Sequence, residues 1–167
     1  MSCVVDTNVP MVANGGVPQA SPECVKACAA SLNGVVKDGK LVLDDGWLII
    51  SEYKRNLRSD GQPGVGDAFL KWVLTNWANP GRCELVRITP DASHSSQFAE
   101  FPTDSRLKSF DPADRKFVAV ALGHGGNPPI WQAVDQKWWD LRTVLGDCNV
   151  TVEFLCKTDM MKAEGNG

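Results

Sequence analysis

Apolar positions along the chain fall into short continuous runs separated by longer stretches with helical spacing. Residues 2–6 read as a short buried strand. Pro22 near a helix start, followed by Val25, Cys28, Ala29, Leu32 and Val36, predicts a helix over 22–37. Residues 40–43 read as a second strand, and Asp44 or Asp45 suits the cap of a helix over 47–57. The run SDGQPGVGD between Arg58 and Asp67 reads as a connection. Phe69, Leu70, Val73, Leu74 and Trp77 then mark an amphipathic helix ended by Asn79-Pro80-Gly81. A third strand is predicted over 83–89. Residues 90–110 are polar and irregular, with at most a turn of helix near Phe98. Asp111-Pro112 starts a helix through Leu122, closed by Gly123. Residues 129–134 read as strand four, 137–145 as a helix and 150–156 as strand five. In strand five Thr151 and Glu153 alternate with Val150, Val152 and Phe154, as expected of an edge. Strands alternating with helices predict an α/β fold around a mostly parallel sheet. One domain over 1–158 and a disordered tail over 159–167 complete this reading.

Composition changes the picture little. The chain has 167 residues, 43% hydrophobic and 22% charged, with a net charge of −3, so overall basicity does not advertise a nucleic-acid partner. Its apolar runs are too short to span a bilayer, and no secretion signal is expected at the start, which places the protein in the cytoplasm. The six cysteines form no C-x-x-C pair and neither histidine stands at zinc-finger spacing. They read as small core residues in a reducing compartment. No Ser–His–acid arrangement and no phosphate-binding glycine loop can be argued.

Four acids stand where an open parallel sheet collects its ligands, beyond the carboxyl ends of strands. Asp6 terminates strand one and Asp135 terminates strand four. Glu52 shares a helix face with Leu48 and Ile49, and Asp114 lies in the first turn of the helix leading to strand four. Each has a plainer explanation. Asp6 and Asp135 suit caps, Glu52 can pair with Arg55 or Asn56, and Asp114 favourably faces a helix dipole. Taken together they predict a shared cation, because clustered carboxylates repel and raise one another's pKa. Oxygen ligands without histidine or cysteine suit Mg²⁺ or Mn²⁺.

VVDTNV, the Glu of LDDGWLIISEYKRNL, FDPADRKFVAVAL and the Asp of QAVDQKWWDL, taken in order, resemble the PIN-domain nucleases. The resemblance covers nearly the whole chain, least well over 58–105. It implies a three-layer α/β/α sandwich with a five-stranded parallel sheet and metal-dependent cleavage of nucleic acid, most often RNA. By that similarity Asp6, Glu52, Asp114 and Asp135 are the catalytic metal ligands and Asn8 is a supporting polar neighbour. Asp140 competes with Asp135 for the fourth place. Ala133-Val134-Asp135 departs from the Thr-Gly-Asp of many relatives and lacks its hydroxyl. Lys54, Arg55, Arg115 and Lys116 flank the acids and are the expected contacts to single-stranded RNA. Trp47, Trp77 and Trp138 read as core and Trp72 as the exposed stacking candidate. An endoribonuclease of this kind serves in defence, in RNA processing or as a toxin with an antitoxin partner, and a homo-oligomer stays open. The alternative is a PIN-like binding module without metal that acts through protein or RNA contacts.

Overall fold

A computed structural model describes residues 1–166. Five strands form one parallel sheet in the order β3-β2-β1-β4-β5, with β1 at Ser2–Val5, β2 at Lys40–Asp44, β3 at Cys83–Val86, β4 at Ile130–Gln132 and β5 at Val152–Phe154. Helices cover both faces, giving the three-layer α/β/α sandwich. β1 is central, and its Cys3, Val4 and Val5 are buried because both faces are covered. Val4 pairs with Ile130 and Val5 with Trp131, so β1 and β4 run out side by side at the same edge.

On one face α1 (Asn8–Ala13), α2 (Pro22–Asp38) and α4 (Val65–Asn76) pack together. α2 begins as its sequence predicts: Ser21 Oγ accepts from the Cys24 N–H at 3.2 Å, and Pro22 supplies the first helical residue. Gly66 lets α4 approach α1, since a Cβ there would sit 2.0 Å from the Pro10 carbonyl oxygen. α5 (Arg115–Gly123) packs on the opposite side against β1, β2 and β4 and is buried from Lys116 through Ala121. α3 (Leu48–Asn56) packs against β2, α4 and α5. Asp44 is its cap: one oxygen accepts from the Leu48 N–H at 2.8 Å and the other from Ile49 at 2.9 Å.

The structure departs from the sequence expectations in several places. α1 was not predicted, because Asn8–Ala13 is short and carries Pro10. The expected helix over 137–145 is two, α6 (Gln136–Asp140) and α7 (Arg142–Asp147), separated at Leu141. The irregular 90–110 stretch contains a 3-10 turn at Ser105–Leu107 and an isolated bridge between Pro90 and Phe98. β5 is an edge, but so is β3, where Leu85 is exposed.

The expected disordered tail is α8 (Lys157–Gly165); Gly167 lies outside the described residues. Met160 is buried, and Asp159 accepts from the Ser21 N–H and hydroxyl at 2.8 and 2.7 Å. This docking corrects the cysteine reading. Cys24 on α2 and Cys156 at the entry to α8 are joined in a disulfide, and Cys28 lies 3.7 Å from Cys156 across sulfurs. Cys3, Cys28, Cys83 and Cys148 are free. Among the described residues no helix is long and apolar enough to cross a membrane.

Candidate functional site

The site is built where β1 and β4 end. Asp6 follows the last residue of β1, and its N–H donates to the Trp131 carbonyl at 3.1 Å, prolonging the pairing with β4. The chain then turns into α1, and Asp6 Oδ1 accepts from the Asn8 N–H at 2.8 Å. The Asn8 side chain accepts from the Val134 N–H at 2.8 Å, tying the exit of β1 to the exit of β4 one residue before Asp135. Asp135 caps α6, accepting from the N–H groups of Lys137 at 2.9 Å and Trp138 at 3.4 Å. The indole of Trp138 donates to Asp114 Oδ2 at 3.2 Å. Asp114 ends the 3-10 turn Pro112–Asp114, which Asp111 caps through the Ala113 N–H. One continuous set of contacts therefore runs from Asp6 through Asn8, Asp135 and Trp138 to Asp114.

Glu52 reaches the same edge from α3 and is held differently. Its Oε1 accepts from Lys116 Nζ at 2.9 Å, and its Oε2 accepts from the Thr7 hydroxyl, beside Asp6. Asn56 bonds only its backbone carbonyl, and Arg55 makes no bond to it. Tyr53, the next residue on α3, donates its hydroxyl to the Val5 carbonyl, so α3 is also pinned to β1.

Charge is the property these residues share. Asp6 is 5% exposed. Burial pushes its carboxyl well above the ordinary carboxylate range; the Asp114 charge, then those of Glu52 and Asp135, push the same way against the single Asn8 N–H. Burial, followed by the Asp135 and Asp111 charges, raises Asp114 to about 6 against the Trp138 bond. Asp6 Oδ2, Asp114 Oδ1 and Asp135 Oδ2 accept no hydrogen bond among the described residues. The acids do not close up on themselves. Cys24, Cys28 and Cys156 form the only described group of three metal-ligating side chains with ligand atoms all within 4.8 Å of one another. An oxygen-only set with three free acceptors suits a hard divalent cation.

The remaining residues sort clearly. Asp140 is exposed at the end of α6 and accepts from Gln136 at 2.7 Å, whereas the charge of Asp135 is one of those that raise the Asp6 carboxyl. Asp140 instead lines a cavity of about 300 Å³ with Asp111, Asp114, Lys137 and Trp138. Lys54 and Arg55 are exposed in the last turn of α3. The expected Arg115–Lys116 contact pair is corrected. Arg115 donates to the Lys108 and Phe110 carbonyls and lies 5.0 Å over the Phe101 ring. Lys116 is 8% exposed and spent on Glu52 and the Ala113 carbonyl.

Trp138 is core as expected, while Trp47 and Trp77 are half-buried against each other edge-to-face at 5.2 Å. Trp72 is not a free platform: it stacks on Phe69 at 6.2 Å with Arg82 5.3 Å from its centre. Sequence reasoning missed the roles of Thr7, Lys116 and Trp138. Thr7 sits inside VVDTNV, and a hydroxyl beside the strand-ending acid was the one signal available. Comparison of this chain with family models, with curated proteins and with solved structures finds no match.

Proposed function

We propose that this protein is a metal-dependent nuclease of the PIN type that hydrolyses phosphodiester bonds in RNA. The observation carrying the proposal is the placement of Asp6, Asp114 and Asp135 at one sheet edge, two of them with raised carboxyls and each with a free oxygen. These three residues would hold Mg²⁺ or Mn²⁺, and Asn8 would keep the exits of β1 and β4 in register beneath it. Such an ion supplies positive charge to a phosphoryl group and acidifies water for attack. Lys54 and Arg55, exposed on the helix that carries Glu52, would meet the phosphate backbone of a single strand. RNA, rather than DNA, and an antitoxin partner rest on the sequence resemblance, and a cytoplasmic setting on the short apolar runs and the expected lack of a secretion signal.

A metal-free binding module is favoured by one observation, the cation already present at Glu52 in the form of Lys116. The two readings separate in one assay. End-labelled single-stranded RNA is incubated with the wild type, Asp6→Asn and Asp114→Asn in Mn²⁺ or in EDTA. The nuclease reading expects cleavage only with metal and a loss on the order of 100-fold or more in each variant. Cleavage undiminished by Asp6→Asn, or persisting in EDTA, overturns it.

A further inference from the structure

The four acids are treated unequally by their neighbours. Glu52 has both oxygens engaged, one by an ammonium and one by a hydroxyl, and the pair is enclosed, with side chains 15% and 10% exposed for Glu52 and Lys116. Lys116 is further fixed by the Ala113 carbonyl, and its Nζ lies 4.9 Å from the Phe117 ring centre. A lysine held at three points in this way is not a solvated surface charge. By contrast Asp6, more deeply buried, leaves Oδ2 without a donor, and Asp114 and Asp135 each keep one oxygen free.

We infer that Lys116 is a resident cation of the site: it occupies Glu52 in place of a second divalent ion, so that Asp6, Asp114 and Asp135 take one metal ion only. The inference rests on the metal-site reading above and goes beyond it by fixing the stoichiometry and giving the reason Glu52 is not a ligand. The charge balance supports it. Four carboxylates and one ammonium accept a single divalent ion and stay slightly negative. A second ion would make the cluster positive and bring a dication against an ammonium whose one ion pair among the described residues is with Glu52. Glu52 then acts through Lys116 and Thr7 as a positioning residue, holding the ammonium beside the rim.

The test counts Mn²⁺ bound per chain, by calorimetry and by the paramagnetic resonance signal of free Mn²⁺, independently of any cleavage. The wild type is expected to bind one ion. Glu52→Gln is expected to keep one ion, bound more weakly by up to about tenfold because the ammonium is left unneutralised, whereas Asp114→Asn loses the ion. Lys116→Met frees Glu52 and is expected to bind a second ion or to tighten the first at least about tenfold. Lys116→Arg, which keeps the charge, is expected to retain one. Two ions on the wild type overturn the inference and leave the metal site standing. No ion on the wild type overturns the metal site and the inference with it. If Lys116→Met does not fold with its buried partner unpaired, Glu52→Gln decides. Loss of the ion in that variant makes Glu52 a ligand and overturns the inference.

Discussion

Asp6 and Asp67 are both buried carboxylates, 5% and 3% exposed, and their environments drive them in opposite directions. Asp67, in the first turn of α4, is pushed up by burial, but that is more than offset by N–H donation from Arg58 at 2.8 Å, Gly64 at 3.0 Å and the Asn14 amide at 3.0 Å. Its carboxyl sits below the ordinary range. Asp6 is as little exposed but more deeply enclosed, with one N–H and three acidic neighbours, and its carboxyl sits far above. Low exposure alone therefore says little about a carboxylate. The donors around it distinguish an acid that holds the fold together from one the fold must tolerate.

The largest expected effect lies on the satisfied side. Asp67→Ala strands three N–H donors at the junction of α1, α4 and the 58–64 loop, and a stability loss of about 3 kcal/mol is expected in urea unfolding at pH 7. A loss under about 1 kcal/mol would show that the donors find water and that Asp67 is no keystone.

The next effect has the opposite sign. Asp114 has its folded carboxyl raised from an ordinary 3.8 to about 6, so the proton it keeps stabilises the fold fully below 3.8. That contribution is lost as pH rises toward about 6. Asp114→Asn has no proton to lose, so in EDTA its stability relative to the wild type should improve between pH 4 and pH 7, by about 2 kcal/mol after allowance for partial exposure. Equal differences at the two pH values would remove Asp114 from the strained set. Acids held low, such as Asp67 and Asp104, shift both proteins alike and cancel in the comparison.

The smallest effect resolves the acids from one another. The Asp135 charge is the leading electrostatic cause of the Asp114 shift, and Asp6 is not among its leading causes. Carboxyl NMR titration should therefore show Asp114 falling below 6 in Asp135→Asn and nearly unmoved in Asp6→Asn. The reverse order would place Asp6, not Asp135, nearest in charge to Asp114.

The comparison also separates what was legible in the sequence from what was not. Asp44 could be read as a helix cap because its partners, Leu48 and Ile49, lie within five residues. Asp6 and Asp135 could be placed at a sheet edge because a parallel α/β order puts strand ends there. The Thr7–Glu52–Lys116 connection was illegible. It joins residues 45 and 64 positions apart, and nothing in the local pattern of DRKFVAVAL distinguishes a buried lysine from a solvated one. Trp138 was rightly taken as core, but its indole donor to Asp114 is a matter of ring orientation. α8 was missed because its composition is polar and only Met160 is buried; its anchorage comes from Ser21 and Cys24, at the other end of the chain.

The bond between Cys24 and Cys156 makes a closed covalent ring of most of the molecule, spanning 132 positions of sequence. Glu52, Asp114 and Asp135 lie on that ring, and Asp6 does not: β1 and α1 belong to the open N-terminal arm, although β1 occupies the middle of the sheet. Pulled from its two ends, the molecule would pass the load through one sulfur–sulfur link, so β2, β3, β4 and β5 would feel no tension. Only the arm and α8, which also lies outside the ring, could be drawn out, and Asp6 would leave the other acids with the arm. In mechanical terms the protein is a hoop with a removable central stave, and the stave carries the residue on which the proposed chemistry most depends.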